Sequence, residues 1–142
     1  MLLYKNNRFH IGGVSFIIPD GFYVRTDPPV EYENGFYLVA PDSSYQLSVN
    51  ACNTPSPALK ELRSFFREKE ISPFQWNNLT GYVGKTRYKT EEFAETQFDL
   101  ASNPDGCTRF KIEIVTSTRV GLKRVMASES CRTFMQNLRA GE

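Results

Sequence analysis

Residues 79–116 read LTGYVGKTRYKTEEFAETQFDLASNPDGCTRFKIEIVT, and the alternation inside this run decides the fold class. Side chains along a strand point to its two faces in turn, so a period of two separates one face from the other. In the first part Tyr82, Gly84, Thr86 and Tyr88 fall on one face, and Val83, Lys85, Arg87 and Lys89 on the other. In the second, Ala94, Thr96, Phe98 and Leu100 alternate with Glu95, Gln97 and Asp99. In the third, Phe110, Ile112 and Ile114 alternate with Arg109, Lys111 and Glu113. The run predicts three consecutive strands, the last two joined through Ser102, Asn103, Pro104, Asp105 and Gly106, all turn-forming residue types.

Register follows from the turn around Thr90 to Glu92. A turn of odd length sets Tyr88 opposite Ala94, Gly84 opposite Phe98 and Arg87 opposite Glu95, whereas an even one sets basic side chains across from Ala94 and Thr96. The odd turn is expected, with Tyr88, Phe98 and Ile112 under the helices and the charged face turned to water as a ladder of ion pairs. Exposed pairs are worth about 0.2–1 kcal/mol each, so such a ladder sets register more than stability. Gly84-Lys85-Thr86 ends like a phosphate-binding loop, but that loop needs a glycine where the chain has Leu79 and a helix where it has a strand.

Outward from this core, Arg8–Ile11 and residues 14–18 read as a hairpin turning at Gly12-Gly13. Pro19-Asp20-Gly21 turns the chain, Phe22, Tyr23 and Val24 continue extended, and Asp27, Pro28 and Pro29 break regular structure in a surface loop that carries Tyr32. Residues 36–40 and 45–52 form a second hairpin, in which Tyr45, Leu47, Val49 and Ala51 alternate with Gln46, Ser48 and Asn50 as in a strand wet on one side.

Ser56-Pro57 opens a first helix, Ser56 as the cap, with a stripe of Leu59, Leu62, Phe65 and Phe66. Residues 71–79 read as a connection whose Phe74 and Trp76 either close the core as a lid or line a pocket. Arg119, Lys123 and Arg124 around Gly121 form the local cluster of uncompensated positive charge, read as a turn able to receive a phosphate or an acidic partner. A final helix starts at Ser128, buries Ala127, Cys131, Phe134, Met135 and Leu138, and stops at Gly141.

The 142 residues, 40% of them apolar, suffice for one ordinary domain spanning 1–142. A formal charge of +1 with both signs interspersed gives no field of the kind that recruits nucleic acid or anionic membrane. Cys52, Cys107 and Cys131 are odd in number and widely spaced, which suits neither a disulfide framework nor a zinc site, and Cys131 reads as a small buried hydrophobe. No signal-peptide or membrane-spanning run is present, so a reduced, cytoplasmic protein is expected. The single His10 beside a glycine turn gives little support to a nucleophile–histidine pair with Cys52 or Cys107. No motif for a cofactor survives. The expectation is an α+β, mostly antiparallel protein that binds another protein through a bare sheet face or the end near Trp76, with a homodimer as one form of such an interface. The alternative is a small-ligand carrier or enzyme with an aromatic-lined pocket between helix and sheet.

The order of hairpin, hairpin, helix, three-strand meander and closing helix resembles the superfamily of PsbP-like photosynthetic subunits and the Ran-binding nuclear import factor. Phe16-Ile17-Ile18-Pro19-Asp20-Gly21-Phe22 is similar to the strand and Pro-acid-Gly-aromatic turn near the start of many bacterial members. The resemblance implies a non-enzymatic binding or chaperone-like protein and transfers no binding residue, because the matching stretch is structural.

Overall fold

Eleven strands divide between two antiparallel sheets in the computed structural model, which describes residues 3–26, 34–100 and 108–140. The smaller sheet has the order β1 (Leu3–Lys5), β2 (Arg8–Ile11), β3 (Val14–Phe16) and β11 (Arg139–Ala140). The larger runs β4 (Tyr23–Arg25), β5 (Asn34–Val39), β6 (Tyr45–Cys52), β10 (Arg109–Ser117), β9 (Glu91–Asp99), β8 (Leu79–Tyr88) and β7 (Ile71–Trp76). With them go three short helices, α1 (Ala58–Arg63), α2 (Leu122–Ala127) and α3 (Glu129–Gln136), and a tight helical turn at Glu68–Glu70. The expected α+β class and antiparallel pairing hold. The turn at 102–106, the loop at 27–33 with Tyr32, Cys107 and Gly141 lie outside the described residues.

Both expected hairpins form, the first through Gly12 and Gly13 at φ +58° and +86°, a conformation glycine adopts without strain. The finer element order differs in four places. Residues 71–76 are the edge strand β7, where Pro73 is tolerated because an edge needs fewer N–H donors, and Asn77 at φ +53° turns the chain into β8. α1 ends at Arg63, so Phe65 is exposed while Phe66 turns inward. The expected turn at 117–125 contains α2, whose Leu122 and Val125 are buried and whose Ala127 is exposed. The last helix starts beside Ser128 as expected, and Ser128 caps it, its Oγ accepting from Cys131 N at 3.4 Å, but α3 stops at Gln136 and the chain then adds β11 to the small sheet.

The β8–β9 register is a correction. Tyr88 lies opposite Glu91, Lys85 opposite Ala94 and Gly81 opposite Phe98, so the connecting turn is the even, two-residue Lys89-Thr90, with Lys89 at φ +56°. Two-residue hairpin turns match strand twist best. The even turn also keeps Leu79 and Val83 on the apolar face, both at most 3% exposed, where the odd turn would have spent that face on Tyr82 and Tyr88. Tyr88 is 63% exposed, whereas Phe98 and Ile112 are fully buried as expected.

The apolar face is one continuous surface. In register across it run Leu38, Leu47, Ile114 and Ala94, then Phe36, Val49, Ile112, Thr96 and Val83. α2 packs over β9 and β10, α3 follows α2, and the small sheet meets the same core through Phe16, whose ring lies 5.9 Å from Phe36 and 5.6 Å from Phe134. Tyr45 Oη and Ser130 Oγ, 2.5 Å apart, tie β6 to α3.

The charged face is not wet, contrary to expectation. α1 lies on it against β8 and β9, and Asn50, Gln97, Arg109 and Lys111 are each at most 2% exposed. A buried guanidinium needs acceptors on every side. Arg109 Nε donates to Asp99 Oδ1 at 3.1 Å, Nη1 to Glu61 Oε2 and Gln97 Oε1 at 2.6 Å, and Nη2 to Ser56 O. The same Asp99 carboxylate accepts from Ala58 N at 3.1 Å, so it caps α1 in place of the expected Ser56. Lys111 Nζ stands 3.6 Å from Glu95, which also accepts from Gln97 Nε2 at 2.8 Å. α1 can come this close because Gly84 lies under the Phe66 ring; a Cβ there would sit 2.6 Å from a ring carbon.

Arg109→Ala strands these carboxylates and is expected to lower stability in urea unfolding by about 3–5 kcal/mol. Arg87→Ala, which removes a pair 3.8 Å long whose arginine is 67% exposed, is expected to cost less than about 1 kcal/mol in the same measurement. Gly84→Ala overpacks the Phe66 contact and is expected to cost about 1–3 kcal/mol, a penalty that shrinks in a Phe66→Ala background.

Candidate functional site

The register of β8 places Lys85 and Arg87 on the same face as Leu79 and Val83, at the end of the sheet beyond the packed core. Opposite them stands α2. Gly121, at φ +90°, swings the chain out of β10, and Leu122 N then donates to Glu92 Oε1 at 3.2 Å, which fixes the start of the helix. Leu122 and Val125 recur at helical spacing and hold α2 down on β9 and β10. Between α2 and the β8–β9 end lies a groove of about 650 Å³, lined by Lys85, Thr86, Arg87, Glu92, Leu122, Lys123, Met126 and Ala127.

Its lining has two unlike parts. Leu122, Met126 and Ala127 supply an apolar wall from the helix, while Lys85, Arg87 and Lys123 are cations facing one carboxylate, Glu92. Three positive charges less one negative leave a formal +2. Glu92 is already engaged, by Arg87 at 3.8 Å and by the Leu122 amide. The groove therefore suits an apolar surface that carries negative charge. Among the described residues its lining contains no histidine, cysteine or aromatic side chain, so it differs from the aromatic-lined pocket considered from sequence.

Of the residues singled out in the sequence, Lys123 lines this groove. Arg124 is exposed on the same helix outside its lining. Arg119 stands apart, lining a second depression of about 620 Å³ at the hairpin tip with Tyr88, Lys89 and Glu91. Phe74 and Trp76 are elsewhere on the molecule, in β7, with rings stacked 6.2 Å apart and Phe74 5.8 Å from Phe98. Both are half-buried against the core, the arrangement of a lid.

Sequence reasoning missed Lys85, Arg87, Glu92 and Met126. The signal that finds them is the two-residue turn, because one step of register moves every β8 side chain to the other face.

His10 lies in β2 with its Nε2 3.2 Å from Lys5 O. Cys131 is buried under α3, and burial pushes its thiol up to about 11. Among the described residues no group of three or more His, Cys, Asp or Glu side chains is placed to hold a metal ion, and no helix is long and apolar enough to cross a membrane.

No family model matches the sequence, and no curated protein matches it. The fold is similar to a solved structure from Bacteroides thetaiotaomicron VPI-5482, with a TM-score of 0.61 over 98% of this chain at 12% identity. The match covers 50% of that protein, so this chain spans about half its length. The likeness concerns fold alone.

Two outcomes follow. At pH 8 iodoacetamide is expected to alkylate Cys131 of the folded protein at least about 100-fold more slowly than an unhindered thiol, read by peptide mapping. Since the folded-state pKa is the higher one, Cys131 also makes stability fall as pH rises from the ordinary thiol value of 9.0 towards about 11, and not below that window. Glu92→Ala removes the acceptor at the start of α2 and is expected to cost about 0.5–2 kcal/mol in denaturant unfolding.

Proposed function

We propose that this protein is a non-catalytic binding module, and that the groove between α2 and the β8–β9 hairpin takes an acidic, partly apolar segment of a partner protein. The observation that supports it most is the pairing of an apolar helical wall with three cations and one engaged acid. Cations around an apolar floor recruit a negatively charged partner over distance and orient it, while contact with Leu122 and Met126 supplies the short-range attraction. The groove lies at the margin of a sheet, so its backbone is held by strand pairing, while the exposed Lys85, Arg87 and Lys123 side chains become ordered on binding. The resemblance to PsbP-like and Ran-binding import-factor proteins, which keeps the Phe16–Phe22 stretch but not the expected element order, accords with a binding role.

A small-molecule carrier is the second reading, favoured by the volume of about 650 Å³, which falls within the roughly 300–1,000 Å³ typical of ligand pockets. A carboxylate on an apolar skeleton would satisfy the same lining.

Affinity capture from the native host, with wild type and Lys85→Glu/Lys123→Glu side by side, tests the proposal. A protein retained by the wild type, weakened at least about tenfold by the double reversal and released by salt is the expected result. Equal retention by both forms removes the groove from the interaction.

A further inference from the structure

At the other end of β8 the turn Asn77-Asn78 is stitched to the C-terminal segment. Asn77 Nδ2 donates to Leu138 O at 2.6 Å and Gln136 O at 2.9 Å. Asn78 Nδ2 donates to Ala140 O at 3.0 Å while its Oδ1 accepts from Ala140 N at 2.8 Å, so the side chain pairs with the backbone of β11 as a neighbouring strand would. From β2, Arg8 reaches the same place, its Nε donating to Ser15 Oγ at 2.9 Å and its Nη2 to Asn137 O. These bonds frame a pocket of about 210 Å³ lined by Arg8, Asn77, Asn78, Gln136, Asn137 and Arg139.

Among the described residues the charge in this pocket is all of one sign: Arg8 is only 7% exposed, Arg139 stands beside it, and no carboxylate of a described residue is in the lining. Neither arginine forms an ion pair among the described residues. The cost shows on Arg8, whose guanidinium is held below its ordinary value by burial first and by the Arg139 charge second. Its Nε and Nη2 are spent on Ser15 and Asn137, which hold the group in place, while Nη1 has no acceptor among the described residues. Like charges held near each other in a partly buried frame repel, and an anion between or beside them offsets that repulsion.

We propose that this pocket is an anion site for a single tetrahedral oxyanion of the phosphate type, gripped by Arg8 and Arg139. Two guanidiniums match a dianion, and the planar N–H fork suits oxygens borne on one atom. At 210 Å³ the pocket is below the roughly 300 Å³ at which sites for larger ligands begin, and its lining offers no apolar wall on which a base or ring would rest. The bound anion ties β2, β11 and the β7–β8 turn together, so it stabilises the closure of the small sheet onto the large one. This site is independent of the groove at α2.

Thermal unfolding with inorganic phosphate, against potassium chloride at equal ionic strength, tests it on the full chain. Wild type is expected to show a saturable rise in midpoint with phosphate and not with chloride. Arg139→Gln, at an exposed position, relieves the repulsion on Arg8, so it is expected to raise the midpoint in chloride and to weaken phosphate at least about tenfold. O-phosphoserine in the same titration separates the sources: tighter binding than phosphate assigns a phosphate carried on a larger molecule, weaker binding the ion itself. A rise that never saturates, is matched by chloride or survives in Arg139→Gln overturns the proposal. If the variant unfolds, the wild-type side-chain amide resonances of Asn77, Asn78 and Asn137 decide. They must shift on phosphate addition, and their failure to move overturns the site.

Discussion

Arg109 is the constraint on which the rest of the structure turns. A guanidinium with no exposed surface cannot release its charge, because arginine does not deprotonate in proteins, so its surroundings must supply oxygen acceptors. The chain supplies them from three places: Gln97 and Asp99 on the neighbouring strand, Glu61 on α1, and the carbonyl of Ser56 just before that helix. These contacts fix α1 against β8 and β9, and Asp99 doubles as the helix cap. Phe66 then falls over Gly84. The polar side of the sheet thus becomes a second interior, built from hydrogen bonds and ion pairs where the first is built from Leu, Ile, Val and Phe.

With both faces of its central strands largely buried, the large sheet leaves its charged grooves at the margins. The two features with uncompensated charge lie at opposite ends of β8, the Lys85–Arg87–Lys123 groove at one and the Arg8–Arg139 pocket at the other. Each arises where an element meant for packing runs out. α2 is only six residues long and leaves the end of the apolar face to lysine and arginine. α3 stops at Gln136, and the chain returns as β11, carrying Arg139 in beside Arg8.

Much of this fold is legible in the sequence. The alternation at 93–100 and 109–116 picks out the apolar side chains buried in β9 and β10, Ala94, Phe98, Phe110, Ile112 and Ile114, and the second hairpin, the helix start near Ser128 and the Cys131–Phe134–Met135–Leu138 stripe follow from local pattern. What is not legible is what covers a face. Arg109, Lys111, Asn50 and Gln97 alternate as solvent-facing residues do, and only the long-range meeting with Glu61 and Ser56 makes the interior habitable for Arg109. The candidate site was half visible. Lys123 stood out as local charge, but Lys85 and Arg87 looked like partners for the acids of β9 until the two-residue turn moved them to the other side.

Lysine acylation of the native protein, mapped residue by residue, tests the buried polar face most directly. An amine reagent in modest excess is expected to modify Lys85, Lys89 and Lys123, which are exposed, while Lys111, 2% exposed and beside Glu95, stays unmodified until the protein unfolds. Modification of Lys111 in the folded protein at the rate of Lys85 would mean that the charged face is open to water, and the account of a buried polar face would be wrong.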